Sequence, residues 1–148
     1  MDERQYRKYA KEFKLEALEL LKVSRIDHGN HCLDDDRLTE ELIRRRIPLT
    51  VCPLSNLRLK VTGRLEEHPL RKMMERGLLV TVNSDDPAYF GGYINENYLA
   101  IAKALNLTAN DIYTLAMNSF EASFLEESIK DKMLARVCEY MKMHENVL

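Results

Sequence analysis

Asp85 and Asp86 are adjacent carboxylates that follow the apolar run Leu78-Leu-Val-Thr-Val82 and precede Pro87. Successive side chains in an extended segment point to opposite sides. One carboxylate can therefore ligate a metal while its neighbour binds a ligand. Asp-Asp-Pro also suits a turn or a helix cap, because Asp bonds readily to nearby backbone amides. His28 closes the short extended segment Val23-Ser-Arg-Ile-Asp-His-Gly29 and offers a group that titrates near neutral pH. A base, a metal ligand and a hydrogen-bonded structural histidine all fit that position. His31 and Cys32 lie close by but make a weak zinc signal, since structural zinc sites use four well-spaced ligands. His68, just before Pro69, suits a helix entrance, and His144 suits a solvated terminus. Cys52 and Cys138 read as small core hydrophobes. Gly91-Gly92 alone is too little for a dinucleotide fingerprint, and no phosphate-cradling loop or Ser-His-Asp triad is legible.

The surrounding pattern says what must position these groups. Tyr6, Tyr9, Phe13, Ala17, Leu20 and Leu21 recur at helical spacing and predict a helix over roughly the first 22 residues. Asp34 or Asp35 can cap a helix carrying Leu38, Leu42 and Ile43, and that helix region ends at Pro48. Ile47 to Cys52 reads as a short strand, followed by a turn-rich loop from Pro53 to about Pro69. Leu70, Met73 and Met74 predict a helix stopped by Gly77. Leu78 to Asn83 is the clearest strand, apolar enough for a sheet buried on both faces. Beyond Gly92 the pattern is helical, with Thr108 and Asp111 placed as a capping box. Strands separated by helices cross over and run parallel. All three end in polar residues: Asp27-His28, then Cys52 with Ser55-Asn56, then Ser84-Asp85-Asp86. In parallel α/β sheets and barrels the carboxyl ends of the strands carry the site, so these residues should share one rim.

Composition narrows the class. The chain has 148 residues, with Lys+Arg 22 against Asp+Glu 24 and a net charge of −2. That balance gives no basic face for nucleic acid. Hydrophobic residues at 45% and charged residues at 31% describe a folded globular chain. No apolar run approaches the ~20 residues that span a bilayer, and the charged start is not expected to act as a secretory signal. Three widely spaced cysteines give neither a disulfide framework nor a zinc knuckle. The expected setting is the reducing cytoplasm, without nucleic-acid or membrane partners. No linker or repeat divides residues 1–148, which read as one unit.

Four strings occur in order: Arg25-Ile-Asp-His-Gly29, Val51-Cys-Pro-Leu-Ser-Asn56, His68-Pro69 and Val82-Asn-Ser-Asp-Asp-Pro-Ala-Tyr-Phe90. Together they resemble the adenosine/adenine deaminase family of metal-dependent amidohydrolases, most closely its adenine deaminase branch. The resemblance runs from about Leu15 to the C-terminus. It implies an α/β fold, the C-terminal part (about three strands) of a TIM-type (β/α)₈ barrel plus C-terminal helices. It implies that Asp85 ligates a catalytic zinc, that Asp86 hydrogen-bonds a purine ring, and that His28 orients the attacking water and helps move its proton. Ser55 and Asn56 match a loop near the pocket with a more structural role. The implied reaction is hydrolytic deamination of adenine to hypoxanthine and ammonia, with adenosine as the alternative substrate.

The chain also departs from the family pattern. It holds no His-x-His pair, and no His-x-x-Glu precedes His28. Three expected zinc ligands and the general acid are thus absent, and catalytic zinc generally needs three protein ligands. At 148 residues the chain is well short of the ~250 of a complete barrel. The expectation is a C-terminal portion, inactive alone and without retained zinc, whose open strand edges lead it to self-associate or pair with an N-terminal half chain. A non-catalytic truncated paralogue that binds a purine or a partner is the other reading.

Overall fold

The computed structural model describes residues 13–18, 20 and 22–144. Residues 13–18 and 20 are helical; the rest of the helix expected over the first 22 residues lies outside the described residues. Three short strands follow: β1 (Ile26–Asp27), β2 (Leu49–Val51) and β3 (Val80–Val82). They form one parallel sheet in the order β1-β2-β3. Helix α1 (Asp36–Arg44) crosses from β1 to β2. Its cap is Asp35, whose side chain accepts from the backbone N–H groups of Arg37 and Leu38.

The segment after β2 departs from the expected loop. Pro53–Arg58 is a helix, α2. Proline suits the first helical position because its φ is preset and its missing N–H is not needed there. A single 3₁₀ turn (Leu65–Glu67) then leads to α3 (Leu70–Glu75). Gly77 follows at φ +81, the left-handed conformation expected of it. After β3 come α4 (Pro87–Phe90), α5 (Ile94–Leu105), α6 (Ala109–Glu121) and α7 (Glu127–His144). Helix α6 opens with the capping box expected from Thr108 and Asp111.

Strand register assigns the two faces of the sheet. Leu49 pairs with Val80 and Val51 with Val82, so all four side chains share one face. They are essentially inaccessible and pack with Leu38, Leu42, Leu70, Met73, Ile101 and Leu115 from the helices. The opposite face carries Asp27, Thr50 and Thr81, paired in register across the three strands. It is polar throughout: Thr50 Oγ1 donates to Asp27 Oδ1 at 2.8 Å, and Asn83 Nδ2 to Thr81 Oγ1 at 2.7 Å. The strands' valines and leucines therefore face the helices, and threonines face what would be a barrel interior.

Apolar surface concentrates instead at the two flanks of the sheet. Beside β1 lies a cleft of about 620 Å³ whose lining includes Leu18, Val23, Ile26, Leu49 and Val61. Beside β3 lies a second, of about 660 Å³, lined by Val82, Ile94, Tyr98, Leu99, Ile112 and Phe120 among others. The outer edge of β3 is not wholly bare, because Asn118 Nδ2 of α6 donates to the Val80 carbonyl at 2.9 Å.

Candidate active site

The carboxyl ends of the strands do converge. His28 follows β1 directly, and its backbone N–H donates to the Thr50 carbonyl at 3.0 Å, which ties the turn to β2. The chain then reverses through Gly29 (φ +70), whose N–H donates to the Asp27 carbonyl at 2.9 Å. A Cβ on Gly29 would lie 2.8 Å from Leu49 Cδ2, so the close passage of this turn over the core requires glycine. Both His28 (φ 61) and Asp85 (φ 58) hold left-handed backbone. That region is disfavoured for side-chain-bearing residues, and such outliers cluster at functional sites.

These two turns bring His28 Nε2 within 3.8 Å of Asp85 Oδ2. Ser55, fully buried in the first turn of α2, donates its hydroxyl to the same oxygen at 2.7 Å. Cys52 joins them: an imidazole nitrogen of His28, the Cys52 sulfur and a carboxylate oxygen of Asp85 lie within 4.8 Å of one another. Cys52 is buried as a core residue would be, but beside the polar rim. Its thiol donates to the Thr50 carbonyl at 3.4 Å. Burial, with Asp85 and Asp27 nearby, pushes its pKa up to about 12, so it is a thiol at neutral pH.

Behind His28 lies a buried polar pair. Asn56, 1% exposed, bonds through its amide to His28 and to His68. His68, 3% exposed, accepts the Leu70 N–H at 3.1 Å and so caps the entrance to α3, as its place before Pro69 suggests. Burial pushes its pKa down to about 4.

Asp86 diverges from Asp85. It is exposed, and its Oδ1 accepts the Tyr89 N–H at 3.1 Å as the cap of α4. The cap reading of Asp-Asp-Pro therefore holds for the second aspartate, while the first turns into the site. His31 pairs with Asp34 on the surface at 3.0 Å and takes no part in the cluster, and His144 stacks on Tyr140 in α7. Sequence reading placed His28, Cys52, Ser55, Asn56, Asp85 and Asp86 at one rim, but it took Cys52 for a core hydrophobe and did not join Asn56 to His68 behind His28. The available signal was position: Cys52, Ser55 and Asn56 all follow β2 as His28 follows β1.

The donor set suits a divalent cation in part. A carboxylate oxygen and an imidazole nitrogen face a common space, and the third member is a protonated thiol. Parallel β/α units that gather a carboxylate and a histidine at the carboxyl ends of their strands have the arrangement of an α/β active-site rim. The profile described as adenosine deaminase matches residues 9–140, and the chain belongs to that family. It is 57% identical over 127 residues to an adenine deaminase of Chlorobium phaeobacteroides, covering 86% of this chain and 38% of that one. It is 53% identical over 133 residues to an adenine deaminase of Hahella chejuensis, covering 90% and 40%. The crystal structure of an adenine deaminase from Arthrobacter aurescens superposes with a TM-score of 0.83 at 46% identity, over 86% of this chain and 39% of that one. An amidohydrolase from Burkholderia ambifaria, with bound Zn, gives 0.79 at 26% identity, over 88% and 37%. The chain thus spans about two-fifths of the length of the relatives it matches. The expected fold class is borne out: three consecutive β/α units of a TIM-type barrel with their C-terminal helices. Among the described residues no helix is long and apolar enough to cross a membrane.

Proposed function

We propose that these 148 residues form the C-terminal portion of the active site of a zinc-dependent purine deaminase that acts on adenine, and that they do not catalyse unaided. The observation that carries this is the convergence of His28 Nε2 and Asp85 Oδ2 at 3.8 Å on the strand rim. The identity to adenine deaminases supports the choice of base. Asp85 is the ligand this portion contributes, held by Ser55. Zinc bound there supplies Lewis-acid activation of water at neutral pH. His28 orients that water and holds or passes on its proton. Asp86 uses Oδ1 to cap α4, and its other carboxylate oxygen hydrogen-bonds the purine ring. Water replaces the exocyclic amino group, giving hypoxanthine and ammonia.

The remaining ligands and the ring-protonating acid come from β/α units that complete the barrel, whether continuous with this chain or on a partner. The two apolar clefts support that reading, because they flank the sheet where further units would join. The polar inner face supports it too, since that face needs enclosure rather than apolar packing.

The test is ammonia release from adenine, together with zinc content after dialysis. Both are measured on the chain alone and on the chain co-expressed with the N-terminal β/α units of an adenine deaminase relative. The expected result is neither property alone and both together. One tightly held zinc with turnover by the unaccompanied chain overturns the proposal. Turnover of adenosine in place of adenine overturns the substrate assignment. Purine binding without turnover in the complemented protein supports the non-catalytic reading instead.

A further inference from the structure

A line of hydrogen bonds runs from the amino end of α3 to the site. The Leu70 N–H points at His68 Nδ1 at 3.1 Å. A peptide N–H only donates, so Nδ1 accepts and carries no hydrogen. His68 is buried and its pKa is pushed down to about 4, so at neutral pH its one N–H is on Nε2. That nitrogen lies 3.1 Å from Asn56 Oδ1, which accepts. The orientation of the amide is thereby fixed, because turning Nδ2 toward His68 would set two donors face to face. Asn56 Nδ2 is left facing His28 Nδ1 at 3.4 Å. An amide N–H donates, so His28 Nδ1 accepts.

We infer that His68 and Asn56 are positioning residues that hold neutral His28 as its Nε2–H tautomer, presenting a hydrogen-bond donor rather than a lone pair toward Asp85. The hydrogen bond at one ring nitrogen decides which form a histidine takes at the other. His28 Nε2 is 3.8 Å from Asp85 Oδ2, so its hydrogen sits at the space between the two side chains. A nitrogen that carries a hydrogen cannot ligate a cation. Of the roles open to His28 in the sequence, the relay excludes metal ligation through Nε2 and selects a residue that donates to whatever Asp85 holds. Every link follows from one backbone amide that has no acceptor role available. The inference narrows the proposed role of His28, because an Nε2–H orients a water as a donor but has no lone pair to take its proton, and it rests on that reading only for its catalytic meaning.

The test is magic-angle-spinning ¹⁵N NMR of the full chain labelled at the histidine ring nitrogens. It is recorded at alkaline pH and reads the tautomer in whatever assembly the chain forms. The variants His31→Asn and His144→Asn remove the two exposed histidines from the spectrum. The expected result is a bare Nδ1 and a protonated Nε2 at His28. Asn56→Asp offers a carboxylate that only accepts, and is expected to move the hydrogen to Nδ1. His68→Gln keeps one acceptor and one donor and should preserve the original form, whereas His68→Met should leave the two forms mixed. A protonated Nδ1 in the unaltered chain, or no change in a folded Asn56→Asp variant, overturns the inference. Should Asn56→Asp fail to fold, the spectrum of the unaltered chain still decides. Ammonia release plays no part in the readout, so failure here leaves the deaminase proposal standing, and failure of that proposal leaves the tautomer result intact.

Discussion

The Ser55 hydroxyl donates to Asp85 Oδ2 at 2.7 Å across thirty positions of sequence. It fixes a carboxylate that sits on left-handed backbone at the end of β3. Partners of a metal ligand set its orientation, and their loss typically lowers metal affinity about 10–100-fold. Ser55→Ala in the complemented protein should lower zinc affinity by that factor, read by competition with a chromogenic chelator. Unchanged affinity would remove Ser55 from the site and leave it a buried core hydroxyl.

His68 makes stability depend on pH. Its pKa falls from an ordinary 6.5 to about 4 on folding. As pH drops, the unfolded chain takes up this proton first, so acid favours unfolding. The contribution of neutral His68 is complete above pH 6.5, declines from there and is lost by pH 4. The shift corresponds to about 3 kcal/mol. Urea-unfolding free energies measured between neutrality and pH 4 should show a steeper acid loss in the unaltered chain than in His68→Gln. Equal slopes would mean that His68 is not held neutral by burial.

Two glycines separate backbone strain from steric crowding. Gly29 and Gly77 both have positive φ, at +70 and +81. An added Cβ meets Leu49 at 2.8 Å in the first and nothing within 4 Å in the second. Gly77→Ala should cost about 1 kcal/mol, the left-handed penalty alone. Gly29→Ala should cost about 2–3 kcal/mol, because a packed leucine must also move. Denaturant titration distinguishes the two, and equal costs would show that Leu49 relaxes freely.

The apolar flanks predict association. Clefts of about 620 and 660 Å³ border β1 and β3, and Phe13, Leu20, Leu99 and Tyr93 are each more than 65% exposed. Exposed apolar patches of this kind mark interaction surfaces. Light scattering after size exclusion should give a mass above the 17.3 kDa of one chain. Co-expression with the remaining β/α units should replace self-association with a defined complex. A well-folded 17.3 kDa monomer with a sharp cooperative melt would contradict this.

Sequence alone determined what depends on neighbouring residues. The β/α order, a helix cap at Asp34 or Asp35, the Thr108–Asp111 capping box and the left-handed Gly77 are local choices between backbone and nearby side chains, and each is as the pattern predicts. The motifs around His28 and Asp85 were legible too, along with the family and the fold class. Helix α2 was hidden because Pro53 reads equally as a turn residue and as a first helical residue, and nearby sequence does not choose between them. Only tertiary structure decided which face each strand residue takes, because that follows from the register Leu49 to Val80 and not from composition. It also decided that Ser55 reaches Asp85 and that Asn56 joins His28 to His68. These partners are 30, 28 and 12 positions apart. Parallel crossovers place such residues side by side, and a one-dimensional pattern carries no measure of that distance.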